Sequence, residues 1–190
     1  MTNFEFVFSL LVILLGLGLG QLLGGLASAV KRRPKLRMGW ATGLLATWVM
    51  TETVIFWEIV WRTRNDMPSG APALFAGFGV TALYFFAGAL VFPDDLAELE
   101  TLDDYFMREK ARVIGAVLVA VALSFALRPL VLGSASWTLL NPLGWASMAF
   151  MYAFGAAAML TRRRAVAVAC LAVMVVIDLL EPVGWLLSAA

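Results

Sequence analysis

Residues 4–29 read FEFVFSLLVILLGLGLGQLLGGLASA, an apolar run in which Glu5 is the only charged residue. An α-helix rises about 1.5 Å per residue, so about 20 such residues cross the hydrocarbon core of a bilayer. We therefore predict a transmembrane helix here. The run is too long for the apolar part of a cleavable signal peptide, and basic residues follow it instead of preceding it.

Similar apolar runs recur along the chain and predict one all-α membrane domain over residues 1–190. Of the 190 residues, 62% are hydrophobic and 14% are charged, whereas a soluble domain carries about 25% charged residues. The loops between the runs are too short to form a soluble domain. We predict six transmembrane helices, at Phe4–Ala29, Met38–Trp61, Ala71–Phe92, Val113–Leu132, Pro142–Leu160 and Ala165–Leu187.

Basic residues near the span ends predict the orientation, because loops rich in Lys and Arg stay in the cytoplasm. The loops after the first, third and fifth spans hold 11 of the 14 Lys and Arg residues, and the other three are Arg62, Arg64 and Arg128. We therefore expect a multi-pass protein of the cell (inner) membrane with both termini outside the cytoplasm. Arg62 follows Glu58 by four residues, which predicts an ion pair near the outer surface.

The residue types that the chain lacks exclude several kinds of function. It has no histidine, and Cys170 is its one cysteine, so zinc sites of His and Cys, His-bound haem, iron–sulfur clusters and disulfides cannot form within it. The basic residues are scattered between the spans and form no patch for nucleic acid. We predict no metal, no cofactor and no nucleic-acid partner, and an enzyme is the least favoured class of function.

The first span carries small residues at four-residue intervals, which places them on one face of the helix. Such a stripe allows a second helix to approach closely, and van der Waals packing then holds the two together in lipid. The run GLGLGQLLGG lacks the third glycine of a dinucleotide-binding fingerprint and follows no predicted strand. We predict a helix-packing stripe, which would also permit a homo-oligomer, at Gly16, Gly20, Gly24 and Ser28.

The segment from Pro93 to Phe106 predicts a short amphipathic helix on the cytoplasmic membrane surface. Proline suits the first helical position, and the acidic residues after it complement the positive end of the helix dipole. The acidic face, which includes Asp103 and Asp104, would either be solvated or dock a basic partner. The apolar face comprises Leu96, Leu99, Leu102 and Phe106.

Ionisable residues inside the predicted spans fall at nearly one depth. Counted from the last basic residue at the inner end of each span, Glu52, Asp178 and Arg128 lie about 22, 21 and 24 Å deep. Glu181 lies one turn beyond Asp178 on the same face. A proline follows directly after Arg128 and after Glu181, and each frees a helical carbonyl that needs a donor, water or a cation. A charge in hydrocarbon costs at least about 3 kcal/mol, so such residues have a partner, a cavity or a function.

We predict that these four residues form an ion- or proton-binding site in which Arg128 tunes the acids. Burial and a neighbouring like charge both favour the neutral form of a carboxyl group. At least one of Glu52, Asp178 and Glu181 should therefore carry a proton at pH 7, unless a cation is bound. The alternatives are a structural polar network or a site for a small polar ligand, with Arg128 reaching outward to lipid headgroups.

Three short motifs carry a resemblance to known proteins. They are FWEIVW (Phe56–Trp61), LVFPDD (Leu90–Asp95) and DDYF (Asp103–Phe106). Through them the chain resembles a group of bacterial inner-membrane proteins with six predicted helices and no assigned activity. The resemblance covers most of the length. It implies the six-helix topology and carries over no functional residue.

Two functions follow from this sequence. The first is a small ion- or proton-coupled transport protein that uses the intramembrane acids. The second is an accessory or assembly subunit of a larger membrane complex, in which the acids form a sealed structural network. Flux of a proton or small cation distinguishes the two.

Overall fold

A computed structural model describes the backbone of residues 3–31, 40–65, 71–93, 101–132 and 142–189. It describes the side chains of residues 5–31, 40–65, 71–93, 101–129 and 144–180. Four helices are long and apolar enough to cross a membrane, namely α1 to α4, and residues 144–160 of α5 form a shorter apolar helix. The helices in the described ranges are α1 (Asn3–Lys31), α2 (Trp40–Arg62), α3 (Ala71–Val91), α4 (Leu102–Leu132), α5 (Pro142–Leu160) and α6 (Arg164–Ala189).

The helices form a ring whose order differs from their order along the chain. Going round the bundle, α1 is followed by α3, α4, α5, α6 and α2, and α2 closes the ring against α1. Helix α2 also contacts α3 and α4, so it lies toward the middle. Half of its most apolar stretch is buried, against about a third or less in α1, α3 and α4. Polar side chains in the middle of α2, such as Glu52 and Thr53, are therefore well shielded.

Three of the four threonines of α2 donate their hydroxyl hydrogen to a carbonyl within the helix itself. Thr51 donates to the carbonyl of Thr47 at 3.0 Å, and Thr53 donates to that of Val49 at 2.7 Å. A threonine that bonds to the preceding turn needs no partner from another helix. The indole of Trp48, on the same helix, is fully buried. This is how a helix with several hydroxyl groups can pack in the apolar centre.

Helix α4 is longer than its apolar run, since it begins at Leu102 and not at the predicted Val113. Thr101 caps its first turn. The backbone N–H of Asp104 donates to Thr101 Oγ1 at 3.3 Å, and Thr101 Oγ1 donates to the Asp104 carboxylate at 2.6 Å. The first bond is that of an N-cap, and the second joins the two side chains. Hydropathy detects the apolar part of a helix and not its end. The predicted fourth span therefore left out the charged first turns of α4.

The second half of the predicted amphipathic segment belongs to α4. Leu102 and Phe106 are 0% and 1% exposed, and Thr42 of α2 donates to the carbonyl of Leu102 at 3.0 Å. Both apolar side chains therefore pack inside the bundle and not against lipid headgroups. Residues 94–100 lie outside the described residues, so an amphipathic helix there stays a prediction.

Lys110 connects α4 to the end of α5. Its side chain is buried, and its ammonium group donates to the carbonyls of Ala158, Met159 (3.3 Å) and Thr161 (2.6 Å). The last carbonyls of a helix have no intrahelical partner and carry partial negative charge, which favours a cation. An ammonium group has three donors, and all three are used here.

Candidate functional site

Glu52 of α2 and Asp178 of α6 are buried acids on neighbouring helices. Each is 5% exposed, and α2 contacts α6 in the ring. Glu52 lies near the middle of α2, far from either helix end. Burying a carboxyl group is unfavourable unless it is neutralised, paired or hydrogen-bonded. The surroundings of these two acids therefore decide what they can do.

Tyr84 of α3 lies within electrostatic range of both acids. Its side chain is 3% exposed, and its hydroxyl interacts electrostatically with Glu52, Asp178 and Tyr152. Its ring packs against Phe56, one turn beyond Glu52, with the ring centroids 5.2 Å apart. We call Glu52, Tyr84, Tyr152 and Asp178 the carboxylate cluster. Helices α2, α3, α5 and α6 each contribute one member.

Tyr152 can act only as a hydrogen-bond acceptor within the carboxylate cluster. Its hydroxyl donates to the carbonyl of Leu118 on α4 at 2.9 Å, and it also interacts electrostatically with Glu52. A phenol has a single proton to donate, so Tyr152 can offer the cluster only lone pairs. A hydrogen bond between Tyr152 and Glu52 would therefore require Glu52 to carry a proton.

The neighbours of Glu52 and Tyr84 one turn earlier on their own helices are buried. Trp48, one turn before Glu52, is 0% exposed, and its Nε1 has no hydrogen-bond partner among the described residues. Thr81, one turn before Tyr84, donates to the carbonyl of Gly77 at 2.9 Å within its own helix. Such surroundings have a low effective dielectric, which strengthens the electrostatic interactions between the members of the cluster.

Arg128 belongs to a different feature of the bundle. It is half-buried and lines a cavity of about 120 Å³ between α1, α2, α3 and α4. Its guanidinium lies over the ring of Phe125, 5.9 Å from the centroid. Among the described side chains, no carboxylate comes within 4.0 Å of it. The described residues therefore show no direct contact between Arg128 and either Glu52 or Asp178.

The remaining predicted acids lie outside the carboxylate cluster or outside the described side chains. The side chain of Glu181 is not among those described, so its place in the ion- or proton-binding site stays a prediction. Glu58 and Arg62 form an ion pair across one turn, with 2.8 Å between carboxylate and guanidinium. Their side chains are 41% and 51% exposed, and such a pair contributes only about 0.3–0.5 kcal/mol. It is a surface feature.

The predicted helix-packing stripe of α1 faces away from the other described helices. A Cβ atom added to any of its three glycines would meet none of the described residues within 4 Å, and its serine is exposed. Other glycines bring α1 against α3. A Cβ on Gly18 would lie 3.2 Å from the Cα of Phe85, and one on Gly25 would lie 2.8 Å from the Cβ of Phe92. The stripe residues are Gly16, Gly20, Gly24 and Ser28.

The chemistry of the carboxylate cluster is that of oxygen ligands. Two carboxyl groups and two phenols can hold a proton or a small hard cation, which prefers oxygen. Among the described residues, no group of three or more His, Cys, Asp or Glu could hold a metal ion. Binding of a proton or a small cation is chemistry that these four groups allow.

The chain matches no protein-family model, no curated protein and no solved structure. The resemblance to the bacterial inner-membrane group therefore stays a prediction. What the protein does must be inferred from its own geometry.

Tyr84 and Tyr152 were missed as site residues in the sequence, although a signal for them exists. The chain has three tyrosines, and these two fall well inside predicted spans. Tyrosine is enriched at membrane interfaces, where its hydroxyl reaches water. A phenol placed in hydrocarbon needs a partner for the same reason that a charge does. Counting buried hydroxyls together with buried charges would have found both residues.

Proposed function

We propose that the protein is a six-span protein of the cell (inner) membrane, with both termini outside the cytoplasm, and that it carries out ion- or proton-coupled transport. The carboxylate cluster is the proposed binding site for the proton or small cation. One observation supports this most directly. Glu52 and Asp178 come from different helices, yet both are buried and both lie within electrostatic range of the Tyr84 side chain.

A bound proton or cation would relieve the electrostatic repulsion inside the carboxylate cluster. Two carboxylates in one apolar site repel each other strongly, because the effective dielectric there is low. A single shared proton removes most of that repulsion, as does one cation held between the acids. Ionisable groups buried among membrane helices commonly mark ion pathways and proton relays. The tyrosine oxygens supply further ligands without adding negative charge.

Proton or cation binding would also couple to helix packing, because Glu52 and Asp178 lie on separate helices. Release of the proton would restore the repulsion between α2 and α6, which are neighbours in the ring. A change in the packing of two helices around a central site is what alternating access requires. Both acids are 5% exposed, which corresponds to a closed state of such a cycle.

The test is flux in proteoliposomes under an imposed proton, Na⁺ or K⁺ gradient. Wild type should show flux, and Glu52→Gln and Asp178→Asn should each abolish it while circular dichroism shows an intact fold. Glu58→Gln is the matched control, since it removes an exposed acid from the same helix and should leave flux unchanged. Absence of wild-type flux under all three gradients would contradict the proposal, as would equal flux in Glu52→Gln and Glu58→Gln.

The second candidate function is an accessory or assembly subunit of a larger membrane complex. The observation in its favour is the helix-packing stripe, whose glycines leave open space on an exposed face of α1. A partner helix could approach that face to backbone contact. In this case the carboxylate cluster would be a sealed structural network, and wild type would show no flux.

Substitution within the helix-packing stripe tests this second function. Gly20→Leu places a large side chain where a partner helix would pack, so it should release any partner or second copy. Gly43→Leu is the control, because a Cβ on Gly43 also meets nothing within 4 Å but lies on α2. The readout is the mass of the purified complex in detergent by light scattering. Equal masses for Gly20→Leu and wild type would argue against a partner on this face.

A further inference from the structure

The cavity beside Arg128 has the size and position of a site for an alkyl chain. It lies where the C-terminal part of α2, the N-terminal part of α3 and the C-terminal part of α4 meet, and Leu11 of α1 closes one side. Its volume is about 120 Å³, and it is partly open to the surroundings. An apolar cavity of about 150 Å³ holds the six carbons of benzene, so this one has room for about five. A longer chain could continue outward through the opening.

Small residues on α3 create this space, and aromatic residues complete its wall. Ala73, Ala76 and Gly77 line the side formed by α3. Phe56 and Phe125 line the sides formed by α2 and α4. A cavity lined in this way offers water few hydrogen-bond partners, so it stays dry or takes an apolar ligand.

The hydroxyl groups on the cavity wall are already bonded within their own helices. Ser124 donates to the carbonyl of Ala120 at 2.8 Å. Thr63 donates to the carbonyl of Ile59 at 3.0 Å. This leaves the guanidinium of Arg128 as the polar group on the wall with donors to offer a ligand.

Arg128 carries a positive charge that the described side chains do not neutralise. No carboxylate among them lies within 4.0 Å of its guanidinium. Glu58 on α2 is engaged by Arg62 at 2.8 Å. A half-buried charge without a counter-ion is unfavourable. The planar fork of N–H donors of an arginine fits the oxygens of a phosphate or carboxylate group.

We propose that the cavity binds one anionic phospholipid, with its phosphate on Arg128 and part of one acyl chain inside. An anionic oxygen group next to an alkyl chain is the chemistry that fits this wall, and phospholipid is its abundant source in a bilayer. A net anionic headgroup is favoured, because a choline group would place a second cation near Arg128. The proposal requires the helices to lie in a bilayer, but it does not require the carboxylate cluster to transport anything.

Native mass spectrometry of the purified protein with equimolar phosphatidylglycerol and phosphatidylcholine tests the proposal. Wild type should retain phosphatidylglycerol in preference to phosphatidylcholine. Arg128→Gln should lower the retained phosphatidylglycerol by at least about tenfold, the effect of losing one charged hydrogen-bonded contact. Arg64→Gln is the matched control. Arg64 also lies over an aromatic ring, that of Trp61 at 4.8 Å, but it does not line the cavity, so it should match wild type.

A second variant separates loss of the site from loss of the fold. Ala76→Leu keeps Arg128 and fills the cavity from the side formed by α3, so it should also lose phosphatidylglycerol while circular dichroism stays unchanged. Equal retention of phosphatidylglycerol by wild type and both cavity variants would overturn the proposal, as would equal retention of the two phospholipids by wild type. Oleate is the third probe. If oleate displaces phosphatidylglycerol from wild type, the occupant is a fatty acid and the phospholipid assignment is overturned.

Discussion

Replacing Lys110 by methionine should destabilise the bundle, because Lys110 holds the end of α5 against α4. Its ammonium donates to the carbonyls of Ala158, Thr161 (2.6 Å) and Met159 (3.3 Å). The last bond is long for N–H···O geometry, so two good charge-assisted bonds remain, each contributing about 1.5 kcal/mol. The interaction with the negative end of the helix dipole adds about 0.5 kcal/mol. Methionine also removes the desolvation penalty of a buried ammonium, so the net loss should be about 2–3 kcal/mol.

The assay for this prediction is the free energy of unfolding, measured by titrating detergent-solubilised protein with SDS and following tryptophan fluorescence. Arg112→Met is the matched control on the same helix. The Arg112 side chain is 71% exposed and pairs with Glu109 at 3.0 Å, so its loss should cost about 0.5 kcal/mol or less. If Lys110→Met is no less stable than Arg112→Met, the capping of α5 by Lys110 contributes nothing and the reasoning is wrong.

Two further predictions use the same titration. Gly25→Ala should be less stable than Gly24→Ala by about 1–3 kcal/mol, because the added Cβ crowds Phe92 only at Gly25. The gain in helix propensity is common to both variants, so equal stabilities would contradict the close packing of α1 against α3. Tyr152→Phe should cost about 1 kcal/mol, since it removes the hydrogen bond to the carbonyl of Leu118. A stability equal to that of wild type would show that this bond is not formed.

Hydropathy located the helices well where the apolar run and the helix have the same length. The predicted fifth span, Pro142–Leu160, coincides with α5, and the predicted third span, Ala71–Phe92, exceeds α3 by one residue. At α4 the prediction was wrong by several turns. The residues from Leu102 to Val113 include charged side chains, so they lower hydropathy although the helix continues through them. Only tertiary packing, such as that of Phe106 inside the bundle, shows that these turns are part of α4.

The sequence predicts the height of the site residues along their helices but not the direction in which they face. The rise per residue sets the height of Glu52, Asp178 and Arg128 along their helices. Their direction depends on how each helix is rotated in the ring, and an almost uniformly apolar helix carries little information about that rotation. The two acids interact with Tyr84, whereas Arg128 lines the cavity. For the same reason the sequence did not single out Gly18, which packs against α3, whereas Gly16 of the predicted helix-packing stripe does not.

Phe56 takes part in two sites, since it lines the cavity beside Arg128 and also packs against Tyr84 at 5.2 Å between ring centroids. A molecule that moves this ring on entering the cavity would change the environment of the nearby acids. Thermodynamic linkage then requires reciprocity, so that occupancy of either site alters affinity at the other by one and the same factor. Under the two proposals made above, the lipid composition of the surrounding leaflet would regulate how readily the protein takes up and releases its proton.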